Sequence, residues 1–301
     1  MTLQPYKLSF ITVNYNGLED TRAFLARIDS ITFSFSSEVI VIDNGSRQDE
    51  YALLKDEFPF ITGCYSSANL GFAGGNNIGI RMAQGEFLYF LNNDTLLPLE
   101  ADSQIMQMLS FFEQHPEAGG ITPKIRYMDP PDMIQFAGCT PLTAITLRNK
   151  QIGYQEMELG QYEQNSEIPY LHGAAMLIPR HVVQHIGLMP EDFFLYYEEL
   201  DWCYRINRHY SLFYYAGALV YHKESASTGI DSPFKTYYLT RNRLLFAYRN
   251  RVGLTRILSL FYLVLVANTS KMCSFMLNGK WKHVFSIWSG TRAAFKLFKS
   301  T

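Results

Sequence analysis

The chain has 301 residues, 48% hydrophobic and 18% charged, a balance that excludes a disordered chain and suits one large domain or two small ones around a sizeable core. Net charge is only −2, yet twelve of the 26 Lys and Arg lie in residues 232–301, where no Asp or Glu follows Asp231; the first 231 residues hold 14 basic against 28 acidic. That asymmetry points to an acidic partner for the tail, a nucleic acid or an anionic membrane surface.

In chain order, residues 7–13 (KLSFITV) read as a buried strand, 18–28 as a helix with Leu18, Leu25 and Ile28 on one face, and 38–42 (EVIVI) as a second strand stopped by Asp43-Asn44-Gly45. A short helix over 48–58, a third strand over 61–65, a helix over 76–84 capped by Gly85 and a fourth strand over 86–91 follow. Pro98 suits the first turn of a helix running to His115 before Pro116. Residues 121–170 read as hairpins and loops, 173–178 as a buried strand, 179–186 and 197–208 as helices and 212–221 as a strand ending at His222. The cysteines Cys64, Cys139, Cys203 and Cys273 show neither C-x-x-C nor metal-finger spacing, as in a reduced cytosolic compartment. MTLQPYKLSF lacks a charged and then apolar start, so no signal peptide is expected.

Strands alternating with helices imply a mostly parallel, doubly wound α/β sheet, whose ligand sits beyond the C-terminal strand ends. Strand one ends in Thr12-Val13-Asn14-Tyr15-Asn16, strand two in Asp43-Asn44-Gly45-Ser46 and strand four in Asn92-Asn93-Asp94, so three polar clusters share one rim. Each alone is also ordinary turn chemistry. Asp94 at a strand end suits a hard-oxygen metal site, with Asn92 and Asn93 orienting waters or substrate, or else a plain turn. Glu198, Glu199 and Asp201 lie among Phe193–Tyr197 and Trp202-Cys203-Tyr204, a setting that raises carboxylate pKa values as a general base needs; the alternative is a solvated face with Asp201 paired to Arg205. His222 is a surface residue or a metal ligand complementing Asp94. The glycine run NLGFAGGNNIG (69–79) precedes a helix N-terminus that attracts anions, but it is not G-x-G-x-x-G and follows strand three.

The order TVNYN, VIVIDNGS, NLGFAGGNN, FLYFLNND, HGAAMLIPR, FFLYYEELDWCYR, VYH and TRNR, over roughly residues 7–250, resembles the family 2 inverting glycosyltransferases of the GT-A fold, and within them the rhamnosyltransferase-type branch that builds bacterial surface polysaccharides. The resemblance implies a GT-A nucleotide-diphospho-sugar transferase domain over 1–252, with a nucleotide-binding half (1–116), an acceptor-binding half (117–252) and a basic, aromatic-rich helical extension over 253–301. By the same resemblance Thr12, Asn14 and Asp43 contact base and ribose, and Asn69 with Gly71, Phe72, Gly75 and Asn76 lines the nucleotide-sugar pocket. Asn92-Asn93-Asp94 stands at the D-x-D motif, with Asp94 and His222 as ligands of Mn²⁺ or Mg²⁺. Glu199 stands at the catalytic base, usually Asp, and Asp201 remains a second candidate. Trp202 is either a sugar-stacking platform or a core residue. The implied reaction moves a sugar from dTDP-rhamnose or a UDP-hexose to a hydroxyl of a saccharide or polyprenyl-linked acceptor, with inversion. Asn92 in place of the first Asp of D-x-D and Glu199 in place of Asp keep a non-catalytic sugar-nucleotide or polysaccharide-binding protein as the alternative.

In the tail, residues 257–270 are fourteen uncharged residues between Arg256 and Lys271, too short for a spanning helix of ~20 residues. Residues 257–267 alone read as a buried or dimer-forming helix. Lys280, Lys282, Arg292, Lys296 and Lys299 interleave with Trp281, Phe285, Trp288, Phe295 and Phe298, which suits a helix in the membrane interface. The expectation is a cytoplasmic enzyme, peripheral on the inner face of the membrane through residues 255–301. No nucleic-acid motif accompanies these charges, so no nucleic-acid partner is expected.

Overall fold

The computed structural model describes residues 6–223 and 232–298; Lys299 lies outside the described residues. Strands β1 (Tyr6–Asn14), β2 (Ser37–Asp43), β3 (Ile61–Tyr65) and β4 (Gly85–Leu91) alternate with helices α1 (Leu18–Asp29), α2 (Glu50–Glu57) and α3 (Gly71–Met82). All four strands are parallel, in the order β3-β2-β1-β4. Both faces of β1 and β4 are covered, which is why Leu8, Phe10, Ile11, Leu88 and Tyr89 are wholly buried and the strands read as unbroken apolar runs. The chain leaves β1 toward β2 on one side and returns to its other side for β4. That reversal opens a crevice outside the C-terminal ends of β1 and β4.

Beyond β4 the sheet becomes mixed. It continues through β10 (Ala175–Pro179), antiparallel to β4, then β6 (Ala118–Tyr127), β11 (Ser211–His222) and the two-residue β5 (Thr95–Leu96). Strands β7 (Met133–Phe136) and β9 (Ser166–Ile168) pair with β6 and β11, and β8 (Glu156–Met157) pairs with β7. Helices α4 (Ala101–Gln114), α5 (Arg180–Ile186) and α6 (Glu198–Ile206) complete this part. The expectation of hairpins and loops over 121–170 gives way at its start: β6 is a core strand with eight buried residues in a row. Its Gly119, Gly120 and Pro123 hide the apolar pattern. A Cβ on Gly119 would lie 2.5 Å from Tyr210 Cβ, so that glycine is a close-packing position. Helix α3 likewise starts at Gly71, before the residue 76 that composition suggested. Its glycines let it press onto β1, since a Cβ on Gly79 would stand 2.5 Å from Ile11 Cγ2. Tertiary contact here overrides the poor helix propensity of glycine.

The tail is helical. Helix α7 (Pro233–Asn250) has Pro in its first turn and Ser232 as N-cap, its Oγ accepting from Lys235 N at 3.1 Å. Then α8 (Gly253–Phe261), a π-helical stretch (Tyr262–Asn268) and α9 (Thr269–Leu277) form one continuous helix of 25 residues, followed by α10 (Trp281–Leu297). A second apolar cluster, with Phe193, Leu244, Phe246, Leu263 and Ala294, joins this layer to the rest. Two expectations are corrected. Gly253–Leu277 is long and apolar enough to cross a membrane, and only 6% of its apolar window is buried, so it is not a buried helix. Arg256 and Lys271 do not interrupt it. Arg256 bends over the Tyr248 ring at 5.1 Å and Lys271 over the Phe275 ring at 5.7 Å, as long cationic side chains can.

Candidate active site

The rim of the parallel half is a hydrogen-bonded lattice. Asn14, fully buried at the end of β1, donates through Nδ2 to Glu50 (2.8 Å), and its Oδ1 accepts from Thr21 Oγ1 (2.8 Å). Asp43, fully buried at the end of β2, accepts three backbone N–H groups, from Ser46, Glu50 and Tyr51. In this structure its carboxylate holds the turn into α2. Asn44, placed on the rim by the sequence but given no role of its own there, accepts from Leu70 N (3.0 Å) and donates to the Gly71 carbonyl (3.0 Å). It pins the glycine loop, helped by Asn69 Oδ1, which accepts from Gly71 N at 2.9 Å. Gly71 is at φ +74°, with the Phe194 carbonyl 2.0 Å from where a Cβ would stand, so only glycine fits there. Asn76 bonds back to Phe72 O within its own helix (2.9 Å), and Gly75 brings α3 against Val13. Thr12 Oγ1 is buried and carries no partner.

At the end of β4, Asn93 Nδ2 donates to Thr21 Oγ1 (2.8 Å), while Asn92 N donates to Ala174 O (3.0 Å) and so fixes the strand end against the segment entering β10. The third residue of the run, Asp94, faces β11. His222 lies opposite Thr95 in the β11–β5 pair, which brings its Nε2 to 3.2 Å from Asp94 Oδ1. The His222 ring is held from behind: Gln135 Oε1, on β7, lies 2.8 Å from Nδ1. The Asn92 amide nitrogen lies 3.4 Å from Nε2. The carboxylate of Asp94 and the Nε2 edge of the imidazole thus meet across 3.2 Å at the strand end. Such a pair fits a hard divalent cation, with remaining positions left to substrate phosphates and water. Among the described residues no cluster of three or more His, Cys, Asp and Glu side chains is present, so Asp94 and His222 are the two protein groups available. His172 packs its ring 6.1 Å from that of His222, and burial pushes its pKa down to about 3, keeping it neutral.

Helix α6 presents its carboxylates to different surroundings. A Cβ on Gly173 would lie 3.7 Å from Glu199 Cγ and 3.8 Å from Phe72 Cζ, so Glu199, the HGAAM segment and the glycine loop converge. Burial raises the Glu199 pKa. Asp201 accepts from Asn250 Nδ2 (2.6 Å), has Arg205 at 3.7 Å and lines a separate cavity of about 300 Å³ with Arg208 and Arg249. Trp202 is wholly buried, edge-on to Phe90 at 5.7 Å, with Nε1 donating to Gly187 O (2.8 Å). It is a core residue, and the sugar-platform alternative is set aside.

Glu198 is 2% exposed, and one of its carboxylate oxygens is buried with no partner. Burial, and then the neighbouring Glu199 charge, raise its pKa well above the ordinary 4.5. The folded state therefore keeps this proton to higher pH than the unfolded chain, and the stability it contributes is lost as pH rises from 4.5 through the raised value. Glu198→Gln is expected to raise Tm at pH 7 by about 2 °C or more, the shift of ~1 kcal/mol in a domain this size, with the gain vanishing below the ordinary carboxylate range. Thermal melts at pH 4 and pH 7 check this; an equal loss of Tm at both would sink it.

The model of glycosyl transferase family 2 matches residues 9–187 of this chain. The chain belongs to that family. It is 29% identical over 245 residues to the low-salt glycan biosynthesis hexosyltransferase Agl10 of Haloferax volcanii, covering 79% of this chain and 74% of that protein. Among solved structures, the fold is similar to the mannosyltransferase PcManGT from Pyrobaculum calidifontis in complex with GDP-Man and Mn²⁺ (TM-score 0.58, 14% identity, 99% of this chain and 83% of that one). It is likewise similar to S. aureus TarS 1-349 (TM-score 0.58, 14% identity, 98% and 82%). The fold is GT-A and the chain is a glycosyltransferase.

Proposed function

We propose that this family 2 enzyme moves a hexose or rhamnose from a UDP- or dTDP-sugar to a hydroxyl of a saccharide or lipid-linked saccharide, with inversion, and that Glu199 is the base. The observation that carries the reading is the placement of Glu199 against Phe72 and Gly173, in the segment whose His172 ring lies 6.1 Å from that of His222 and whose Ala174 carbonyl accepts from Asn92 N. The 79% coverage by a hexosyltransferase relative favours a hexose donor. The Gly71–Asn76 segment would hold the nucleotide, with Asn44 fixing the loop and buried Asn14, tied to Glu50 and Thr21, bracing the strand end behind it. Asp94 and His222 would hold Mn²⁺ or Mg²⁺, which when bound neutralises charge on the leaving nucleotide diphosphate. Glu199 accepts the proton of the acceptor hydroxyl as that oxygen attacks the anomeric carbon from the face opposite the diphosphate. One displacement inverts the configuration. Asp201, engaged by Asn250 and Arg205, is the weaker candidate for the base. Nucleotide release from a panel of UDP- and dTDP-sugars with Mn²⁺ tests the reaction class; no release from any donor would favour a non-catalytic binding protein.

The same proposal places the enzyme peripherally on a membrane. Helix α8 to α9 is docked at its middle, where Leu263 is 1% exposed and buried Ser259 donates to Ile145 O (2.8 Å), so it lies along the protein. Its outer side shows Leu254, Ile257, Leu258, Phe261, Leu265 and Val266. Helix α10 buries Val284, Ile287 and Ala294 and exposes Trp281, Phe285, Trp288 and Phe295 beside Lys282, Arg292 and Lys296. Apolar burial plus cationic attraction to anionic lipid suits this layer. The full chain is expected to co-sediment with vesicles containing phosphatidylglycerol at low salt and less at high salt, and Trp281→Ser/Trp288→Ser to lose most binding. A supernatant-only protein at low salt, with dimers in solution, would assign this face to a second copy instead.

A further inference from the structure

The TRNR segment, Thr240 to Arg243 on α7, takes no part in the chemistry above, yet it grips the loop that leads into the catalytic helix. Asn242 is fully buried. Its Nδ2 donates to the carbonyl oxygens of Phe193 (2.9 Å), Leu195 (2.7 Å) and Tyr196 (2.7 Å). Its Oδ1 accepts from Arg241 Nε at 2.8 Å. The Arg241 guanidinium reaches the same loop, with Nη2 donating to Asp192 O (2.9 Å) and Phe193 O (2.5 Å). Every polar atom of the Asn242 side chain is thus spent on this one loop or on the residue that shares it.

The loop needs holding. Phe194, Tyr196 and Tyr197 have φ of 63°, 68° and 78°, a region that residues with a Cβ rarely adopt. Three such residues in four persist only where the surroundings over-determine them. The bends set two things at once. They turn the Phe194 carbonyl to accept from Phe72 N (2.9 Å), joining the loop to the glycine segment. They also start α6 at Glu198, the Tyr197 carbonyl accepting from Asp201 N at 2.8 Å. Glu199 is the second residue of that helix, so its place follows from where the helix begins.

We infer that Asn242 is a positioning residue: through the carbonyls of residues 193, 195 and 196 it fixes the start of α6, and so sets Glu199 against Phe72 and Gly173. The inference rests on Glu199 being the base. A side chain fixed in this way needs no conformational search once the acceptor is bound, and a shift of about 1 Å at the reacting group can cost about 10²-fold in rate. The titratable groups that feel Glu199 are Glu198, Tyr170, Tyr197 and Cys203, none of which lies on α7.

Two variants of the full chain test this. Asn242→Leu keeps the side-chain size and removes both N–H donors. Arg241→Met removes the outer bonds from a half-buried side chain and is the variant less able to unfold the protein. One readout needs no turnover: carbodiimide labelling of Glu199 against pH, followed by peptide mass spectrometry. The other is kcat and donor KM for nucleotide release from the best donor of the sugar-nucleotide panel with Mn²⁺. Asn242→Leu is expected to lower the labelling midpoint toward that of an exposed carboxylate, as Glu199 moves into water, to lower kcat by about 10²-fold and to leave KM within about threefold. Arg241→Met is expected to move both in the same direction by less. Wild-type midpoints in both variants, or a fall in kcat that only follows the folded fraction, overturn the inference. If the wild-type chain releases no nucleotide from any donor, the transferase reading fails, while the labelling midpoints still decide whether Asn242 positions Glu199.

Discussion

Glu199→Gln is expected to lower kcat by about 10²-fold or more, the size of a lost general base, while Asp201→Asn lowers it far less. The ranking follows from where the two carboxylates stand. Glu199 packs beside Phe72 and Gly173 at the crevice, whereas Asp201 is tied to Asn250 at 2.6 Å and lines another cavity. The amide of Gln keeps the shape and cannot take a proton, so donor KM should hardly move. The pH dependence has a definite sign. Burial raises the Glu199 pKa, and only the deprotonated form accepts the acceptor proton. Activity should therefore rise with pH through a value above the ordinary 4.5, and that acidic limb should vanish in Glu199→Gln. A variant with near-normal kcat, or a larger loss in Asp201→Asn, would move the role to Asp201.

Asp94→Ala is the second large effect. It should remove Mn²⁺-dependent nucleotide release, a loss of about 10²-fold or more, because the site offers one carboxylate and one imidazole and no further acidic ligand among the described residues. The side chain stands at the mouth of a strand end, 13% exposed, and props up no part of the core. Tm should accordingly stay within about 2 °C of the wild-type value. A readout independent of turnover is Mn²⁺ binding followed by electron paramagnetic resonance with UDP present. Binding as tight as that of the unmodified chain would show that Asp94 is not a ligand.

Much of this was legible in the residues. The strands of the parallel half are apolar on both faces; β1 and β2 end in Asn14 and Asp43 and β4 runs directly into Asn92, so their shared rim could be drawn before any coordinates. From the residues alone His222 reads either as a surface residue or as a metal ligand complementing Asp94, and the resemblance favours the second. What joins them is β5, two residues long, which has no periodicity to read. Gln135 sits between buried Ile134 and Phe136 and is itself buried, so it breaks the alternation that would have marked it. Asn242 was hidden for another reason. Its partners are backbone carbonyls in a loop whose left-handed residues are Phe and Tyr, residues that carry no turn signal. Asp43 and Trp202 show the limit of reading a side chain by type. Backbone N–H groups saturate the first, and the core encloses the second. In the tail, counting charges set the helix too short, because the sequence does not show that Arg256 and Lys271 fold back onto rings.

The most direct test is nucleotide release measured side by side on the full chain, Glu199→Gln and Asp94→Ala, across UDP- and dTDP-sugars with Mn²⁺ and with EDTA. The expected result is release by the wild-type chain from at least one donor, lost on adding EDTA and reduced by about 10²-fold or more in both variants. Release that persists in EDTA and in Asp94→Ala, or that Glu199→Gln leaves intact, would contradict the assignment of these residues to the reaction.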